Sequence, residues 1–305
     1  MPDDTTSVVL TLRDQPDAAV AALRMLAGQT HQALDVVVVT GGDNATTEAA
    51  GRTLAELALN SRIIVSTTND DALFLSRSRN AGVAASRGAY VTFLEPGIHW
   101  KPDKLAAQVA RLQSDGDATL CLVQGRWHDR AGQPEGLICR NMSTPDTEGW
   151  RALLWAETVP ATCVMARRID LGTHPFDTTL AFGAEQDLWI KLATNGHTAF
   201  ITTPLVDCPR PSARTFDWHA ALQAGHMMID GHLADFADQL SPFERYRARA
   251  RVLAEVGLLL AADPRQRSRA TGLLARAALA GVMSPRQAWR ALHPGSAGDP
   301  LPPAR

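Results

Sequence analysis

The residues of this chain that are able to do chemistry are a few acids, several arginines and one loop histidine. Glu95 and His99 bracket a short loop, Glu95-Pro96-Gly97-Ile98-His99, that follows the apolar run Tyr90-Val91-Thr92-Phe93-Leu94. A carboxylate oxygen and an imidazole nitrogen are each able to ligate a divalent cation, the nitrogen suiting Mn2+ better than Mg2+, and the plain reading of His99 is a partly exposed loop histidine. One carboxylate alone is a poor site for either metal unless substrate phosphates complete it. Glu185 and Asp187 open a segment in which Leu188, Trp189, Leu192 and Ala193 recur at helical core spacing. Both acids therefore stand at a helix N-terminus, where the helix dipole favours carboxylates, and a capping role accounts for them equally well. Asn69-Asp70-Asp71 precedes another helical run and reads first as a cap. Arg77, Arg79, Arg210 and Arg214 carry planar guanidinium forks that match diphosphate oxygens, with surface salt bridging as the alternative role.

The elements that must position these groups follow from hydrophobic pattern. Ser7 to Leu12 reads as a strand buried on both faces, and Asp35 to Thr40, Arg62 to Ser66, Tyr90 to Leu94 and Ala118 to Val123 read as further strands. Helices are expected from an Asp17 cap through Leu26, from Thr46 to Leu59, from Leu75 to Ser86, and after Pro102, which occupies a first-turn position. This alternation predicts an α/β fold with a mostly parallel sheet flanked by helices. Ligands on such sheets bind beyond the carboxyl ends of the strands, which directs attention to the loops after Leu12, Thr40 and Leu94. Further on, Asp129 to Pro134 is a turn that can join a hairpin, Thr162 to Ala166 and Thr198 to Thr202 resemble strands, and Glu185 to Asn195 is a helix. After Phe216 the chain reads as helical with breaks at Pro242, Pro264 and Pro285, and the Gly/Pro-rich tail from His293 reads as disordered. The expected domains are 1–215, a helical extension 216–293 and a tail 294–305.

Composition narrows the classes. At 305 residues, 45% hydrophobic, the chain can bury a large core with an appendage. Four cysteines, far apart and without a CxxC pair, argue against a zinc site or disulfide framework and fit a reducing cytoplasm. The N-terminus lacks the features of a signal peptide, and no apolar run spans a bilayer. Net charge is -2, so no nucleic-acid partner is expected, yet Arg245 to Arg290 carries ten arginines against Glu255 and Asp263. That basic segment is either a solvated helix face or a surface for anionic lipid at the inner face of a membrane.

An ordered series of short motifs resembles the family 2 glycosyltransferases, enzymes of the GT-A fold that use nucleotide-sugars. Ser7-Val8-Val9-Leu10-Thr11-Leu12-Arg13 is similar to the family's opening strand and loop, and Leu26-Ala27-Gly28-Gln29-Thr30 to its Leu-x-x-Gln-Thr. Ser78-Arg79-Asn80-Ala81-Gly82 is similar to Ala-Arg-Asn-x-Gly, and Phe93 to Leu105 to the metal loop with its Trp-x-Pro-Asp-Lys-Leu continuation. Phe176-Asp177 followed by Glu185-Gln186-Asp187-Leu188-Trp189 is similar to Phe-Asp followed by Glu-Asp-x-Asp-Leu-Trp.

The resemblance implies inverting transfer of a sugar from a nucleotide-sugar (UDP or GDP type) to a glycan, lipid-linked or natural-product acceptor hydroxyl. It places a donor pocket at Thr11, Arg13, Thr40, Asp43, Arg79, Asn80, Glu95 and Arg210, a base at Glu185 with Asp187 as the alternative, and Mn2+ or Mg2+ at Glu95, joined by His99. Most of the family's acids are replaced. Its pair after the second strand falls on Thr40 and Gly41, its Tyr-Asn on Leu12 and Arg13, and the later metal-loop acids on Gly97 and Ile98. The late Arg-x-His-x-x-Ser is not evident in Pro209 to Arg214. Two further readings stay open: a non-catalytic binding or partner protein on the same scaffold, and a nucleotidyl- or phosphosugar-using enzyme, against which the lack of a Gly-rich basic loop near the first strand speaks.

Overall fold

The structure, a computed structural model, describes residues 4–66, 73–129, 131–139, 149–156, 158–209 and 217–293. The first part alternates strand and helix: β1 (Thr6–Leu12), α1 (Pro16–Ala27), β2 (Leu34–Thr40), α2 (Asn44–Glu56), β3 (Ser61–Val65), α3 (Phe74–Ala85) and β4 (Tyr90–Leu94). There follow β5 (His99–Trp100), α4 (Lys104–Ser114), β6 (Ala118–His128), β7 (Pro134–Leu137), α5 (Gly149–Trp155), β8 (Val164–Arg167), α6 (Arg168–Leu171), α7 (Ala184–Asn195) and β9 (His197–Pro209). The strands form one sheet in the order β3-β2-β1-β4-β8-β6-β9-β5, with β7 paired to β6. β1, β2, β3 and β4 are mutually parallel, β8 runs antiparallel between β4 and β6, and β9 is parallel to β6. The block β3-β2-β1-β4 is thus parallel, as the alternation predicts, and the sheet is mixed beyond it.

β1, β2 and β4 are buried at every position, which their unbroken apolar runs require when helices cover both faces. α1 turns Ala19, Ala22, Leu23 and Leu26 toward the sheet. Its N-cap is Gln15 with Pro16 in the first turn, so Asp17 lies inside the helix rather than capping it. Pro102 likewise precedes α4, whose N-cap is Asp103. The Thr162 to Ala166 expectation resolves into a 3-10 turn at Ala161–Cys163 and a strand that begins at Val164. The expected hairpin is present: β6 extends past Val123 to His128 and meets β7 through a turn closed by Asp129 and Gln133.

One close approach sets the position of the candidate site. A Cβ on Gly82 would lie 2.3 Å from Val9 Cγ1, so only glycine lets α3 settle this tightly on β1. α3 links two parallel strands and runs against their direction, so Arg79, nearly one turn before Gly82, lies over the carboxyl end of β1.

The chain falls into two compact units, Met1–Arg210 and Pro211–Arg305. The second is helical: α8 (Trp218–Asp235), α9 (Pro242–Ala261), α10 (Arg267–Leu279) and α11 (Pro285–Leu292). Pro242 and Pro285 open helices behind serine caps, each with a reciprocal capping box to Glu244 or Gln287. Inside this unit Arg251 pairs with Glu255 at 2.8 Å, both nearly excluded from solvent. No helix among the described residues is long and apolar enough to cross a membrane.

Candidate active site

The carboxyl edge of the sheet gathers three of the predicted residues into one charge cluster. Arg79 of α3, Glu95 after β4 and Glu185 in the first turn of α7 meet through a single nitrogen. Arg79 Nη2 donates to Glu95 Oε1 and lies 2.6 Å from Glu185 Oε1. The arginine side chain is 3% exposed, whereas Glu95 and Glu185 are 31% and 22% exposed. Its Nε has no hydrogen-bond partner. With both acids ionised the cluster carries one net negative charge. Burial pushes the Glu185 carboxyl above its ordinary value, the Arg79 charge opposes this, and the Glu95 charge adds to it. The Ala161 N–H also donates to Glu185.

An aromatic platform fixes this cluster from below. Phe93, two residues before Glu95, Phe176, and Trp189, one turn after Glu185, are buried and mutually packed, with ring centroids 5.2 to 6.2 Å apart. The Phe93–Phe176 and Phe176–Trp189 contacts are edge-to-face, the preferred geometry for such rings. The Arg79 guanidinium lies 5.3 Å from the Phe176 ring centre. Asn80 clamps the Phe176 backbone from both sides, its Nδ2 donating to the carbonyl at 2.8 Å and its Oδ1 accepting the N–H at 2.9 Å. Both ends of the Asn80 amide thus hold protein, and Trp189 Nε1 is bonded to the Val159 carbonyl. Trp100 and Trp189 are core residues.

The other predicted residues lie along the same edge in different surroundings. Arg13 packs across Gly41, where an added Cβ would fall 2.9 Å from Arg13 Cγ, and its guanidinium sits 4.9 Å from the Phe74 ring centre. It therefore covers the position where the family pattern has its acidic pair. Thr40 is buried with its hydroxyl 3.0 Å from Thr47 Oγ1. Asp43 caps α2 by accepting from Thr46 N at 2.7 Å, and it also accepts from Asp14 N. Burial would raise its carboxyl, but these hydrogen bonds outweigh that and hold it below the ordinary value. Thr11 is buried and its hydroxyl has no partner. Asp187 is nearly buried and pairs with Lys191 at 2.7 Å, one turn along α7. Arg77 is exposed on α3. Arg210, Arg214 and Asp70-Asp71 lie outside the described residues.

The donor set does not fit a metal held by protein. Glu95 is engaged by Arg79, and Gly97 and Ile98 offer no ligating side chain. Gly97 has φ 80°, in the left-handed region that glycine adopts without a Cβ penalty. His99 sits exposed on β5, paired in register with Asp207. Among the described residues no three His, Cys, Asp or Glu side chains gather as a cation site.

Sequence reasoning missed a second cluster on this edge. Asp207 near the end of β9 binds Lys101 Nζ at 2.8 Å and His128 Nε2 at 3.0 Å. His128 Nδ1 lies 3.0 Å from the Gly132 carbonyl, so both ring nitrogens face acceptors and the protonated ring satisfies both. The hydrogen bond to Gly132 and then the Asp207 carboxylate raise the His128 pKa above its ordinary value. His128 and Asp207 are 79 residues apart, and no local motif joins them. Lys104, part of the Trp-x-Pro-Asp-Lys-Leu match, also turns inward: its ammonium lies 3.8 Å from the Trp100 ring centre and donates to Gln108 Oε1 at 2.8 Å. Burial pushes its pKa down to about 7.

A mixed sheet with a parallel block, whose carboxyl edge carries an acid loop, a guanidinium and a helix-borne carboxylate, matches the GT-A glycosyltransferase fold. The sequence matches glycosyl transferase family 2 over residues 7–171, more than half of the chain, and the chain belongs to that family. None of the curated proteins matches it. Among solved structures it resembles S. aureus TarS at a TM-score of 0.62 and 14% identity, over 94% of this chain and 50% of that one. This chain thus spans half the length of TarS; against TarS 1–349 the TM-score is 0.63 at 14% identity, over 94% and 83%. The mannosyltransferase PcManGT from Pyrobaculum calidifontis, in complex with GDP-Man and Mn2+, gives 0.57 at 18% identity, over 96% and 86%.

Proposed function

We propose that this chain transfers a sugar from a nucleotide-sugar donor to an acceptor hydroxyl with inversion at C1. The observation that carries this reading is Glu185, held at the N-terminus of α7 and joined through Arg79 to the loop after β4. TarS has been solved with UDP and with UDP-GlcNAc, and PcManGT with GDP-Man, which supports a donor of this class. In the transfer step the acceptor oxygen bonds to C1 while Glu185 takes the hydroxyl proton. The C1–O bond to the diphosphate breaks, and its electron pair leaves on the nucleoside diphosphate. Arg79 and Arg13 face the developing phosphate charge, and the second unit is a helical appendage to the catalytic region 1–215. Asp187 is held by Lys191 one turn along the same helix and takes no proton. The acceptor is a glycan, lipid-linked or natural-product hydroxyl, and work at the cytoplasmic face of a membrane suits the arginines of α9 to α11.

The test is release of UDP or GDP from UDP- and GDP-sugars, with water or a simple glycoside as acceptor, in the native chain and in Glu185→Gln. Release that disappears in the variant supports the reading. The ion pair that holds Glu185 favours a second reading, a non-catalytic binding protein of the same fold. Nucleotide binding without release from any donor would establish it.

A further inference from the structure

We propose that Arg79 is the resident cation of this site: its guanidinium does the work of a divalent ion at the donor diphosphate, and on donor binding it exchanges Glu185 for phosphate oxygens. This rests on the transferase reading above and specifies how that site grips its donor. Three observations converge. Arg79 occupies the space between Glu95 and Glu185 with one nitrogen shared by both acids. The neighbouring positions that would complete a metal shell are a left-handed glycine and an isoleucine. The guanidinium is almost wholly buried, yet its Nε hydrogen is uncommitted. A buried, unpartnered donor is costly to maintain, and a diphosphate supplies the acceptor it lacks.

The exchange has a direction. The cluster holds two carboxylates against one cation, so an arriving diphosphate competes with them for the same fork. Glu95 lies on the β4 loop and stays with Arg79. Glu185 lies on a separate helix and loses its partner, which leaves its carboxylate free to take a proton from the acceptor hydroxyl. Donor binding thereby arms the base, and the order is donor first, acceptor second. Arg13, packed over Gly41, adds a second guanidinium on the same edge.

Calorimetric titration of UDP and of GDP, each with EDTA and with Mn2+, tests this on the native chain, Arg79→Lys and the charge-balanced double variant Arg79→Gln/Glu185→Gln. The expected result is one nucleotide binding with equal affinity in EDTA and Mn2+, at least about tenfold weaker in both variants. Circular dichroism confirms that each variant is folded. The double variant leaves no unpaired buried Glu185, so it separates loss of the grip from loss of the fold. Binding that requires Mn2+ would overturn the proposal and leave the transferase reading standing. Unchanged affinity in both variants would overturn it as well. No binding of either nucleotide under any condition would overturn the transferase reading and the inference together.

Discussion

The same sheet carries an arginine–carboxylate cluster at each end, and the two are built differently. At the amino end, buried Asp35 of β2 accepts from Ser7 Oγ at 2.7 Å, Arg87 N at 2.9 Å and Arg62 Nη1 at 3.1 Å, while its second oxygen lies 2.7 Å from Arg62 Nη2. Burial raises the Asp35 carboxyl, but these donors outweigh it and hold it below its ordinary value. At the carboxyl end one guanidinium nitrogen serves two acids, and another donor on the same group has no partner. The first cluster loads one oxygen of its acid with three donors, sets the other against Arg62, and ties β1, β2, β3 and the start of β4 together. The second leaves one guanidinium donor without a partner and sets two acids against one cation, so a diphosphate can enter only by displacing a carboxylate from Arg79. In the first cluster one acid meets several donors, and in the second one donor group is shared by two acids.

The largest effect that can break this contrast falls on chemistry. Glu185→Gln should lower sugar transfer by about a hundredfold or more, the usual worth of a general base, while thermal melting changes little. Asp35→Ala should do the reverse. It strands Arg62 and the Arg87 N–H and should cost about 3 kcal/mol in urea unfolding, with nucleotide affinity unchanged. Restoring one missing family acid with Gly97→Asp should cost about 1 kcal/mol, because φ there is left-handed, and should create no Mn2+ dependence in calorimetry. The smallest effect concerns His128. Its raised pKa means that its contribution to stability is full below 6.5, its ordinary value, and is lost as pH rises through the folded value. His128→Asn should flatten that part of the melting-temperature profile, and an unchanged profile would remove the ion pair with Asp207 from the account.

How legible each part was in the sequence follows from its range along the chain. β1, β2 and β4 announce themselves because strands buried on both faces must be apolar throughout. β5, two residues long, has no period to read and exists only through pairing with β9. Local rules put a cap at Asp17 and a first-turn proline at Pro102, whereas the caps are Gln15 and Asp103, and the helices start at Pro16 and Lys104. The motif around Arg79 was visible, and so were Glu95 and Glu185 as separate candidates. That one nitrogen joins them was not, because α3, the β4 loop and α7 meet only when Gly82 seats on Val9 and Asn80 clamps Phe176. The loss of acids at Gly41 and Gly97 read as absence. The fold shows what stands there: the Arg13 stem over the first, and a backbone turn at the second.

The central claim is that Arg79 is divided between protein and ligand, and one comparison tests it most directly. Titrate UDP and GDP in EDTA into the native chain and into Glu185→Gln, which removes one competitor for the guanidinium and keeps the shape of the side chain. The account predicts that the bound nucleotide holds several-fold more tightly to Glu185→Gln. Equal or weaker binding would show that Glu185 and the diphosphate do not compete for Arg79, and would contradict it.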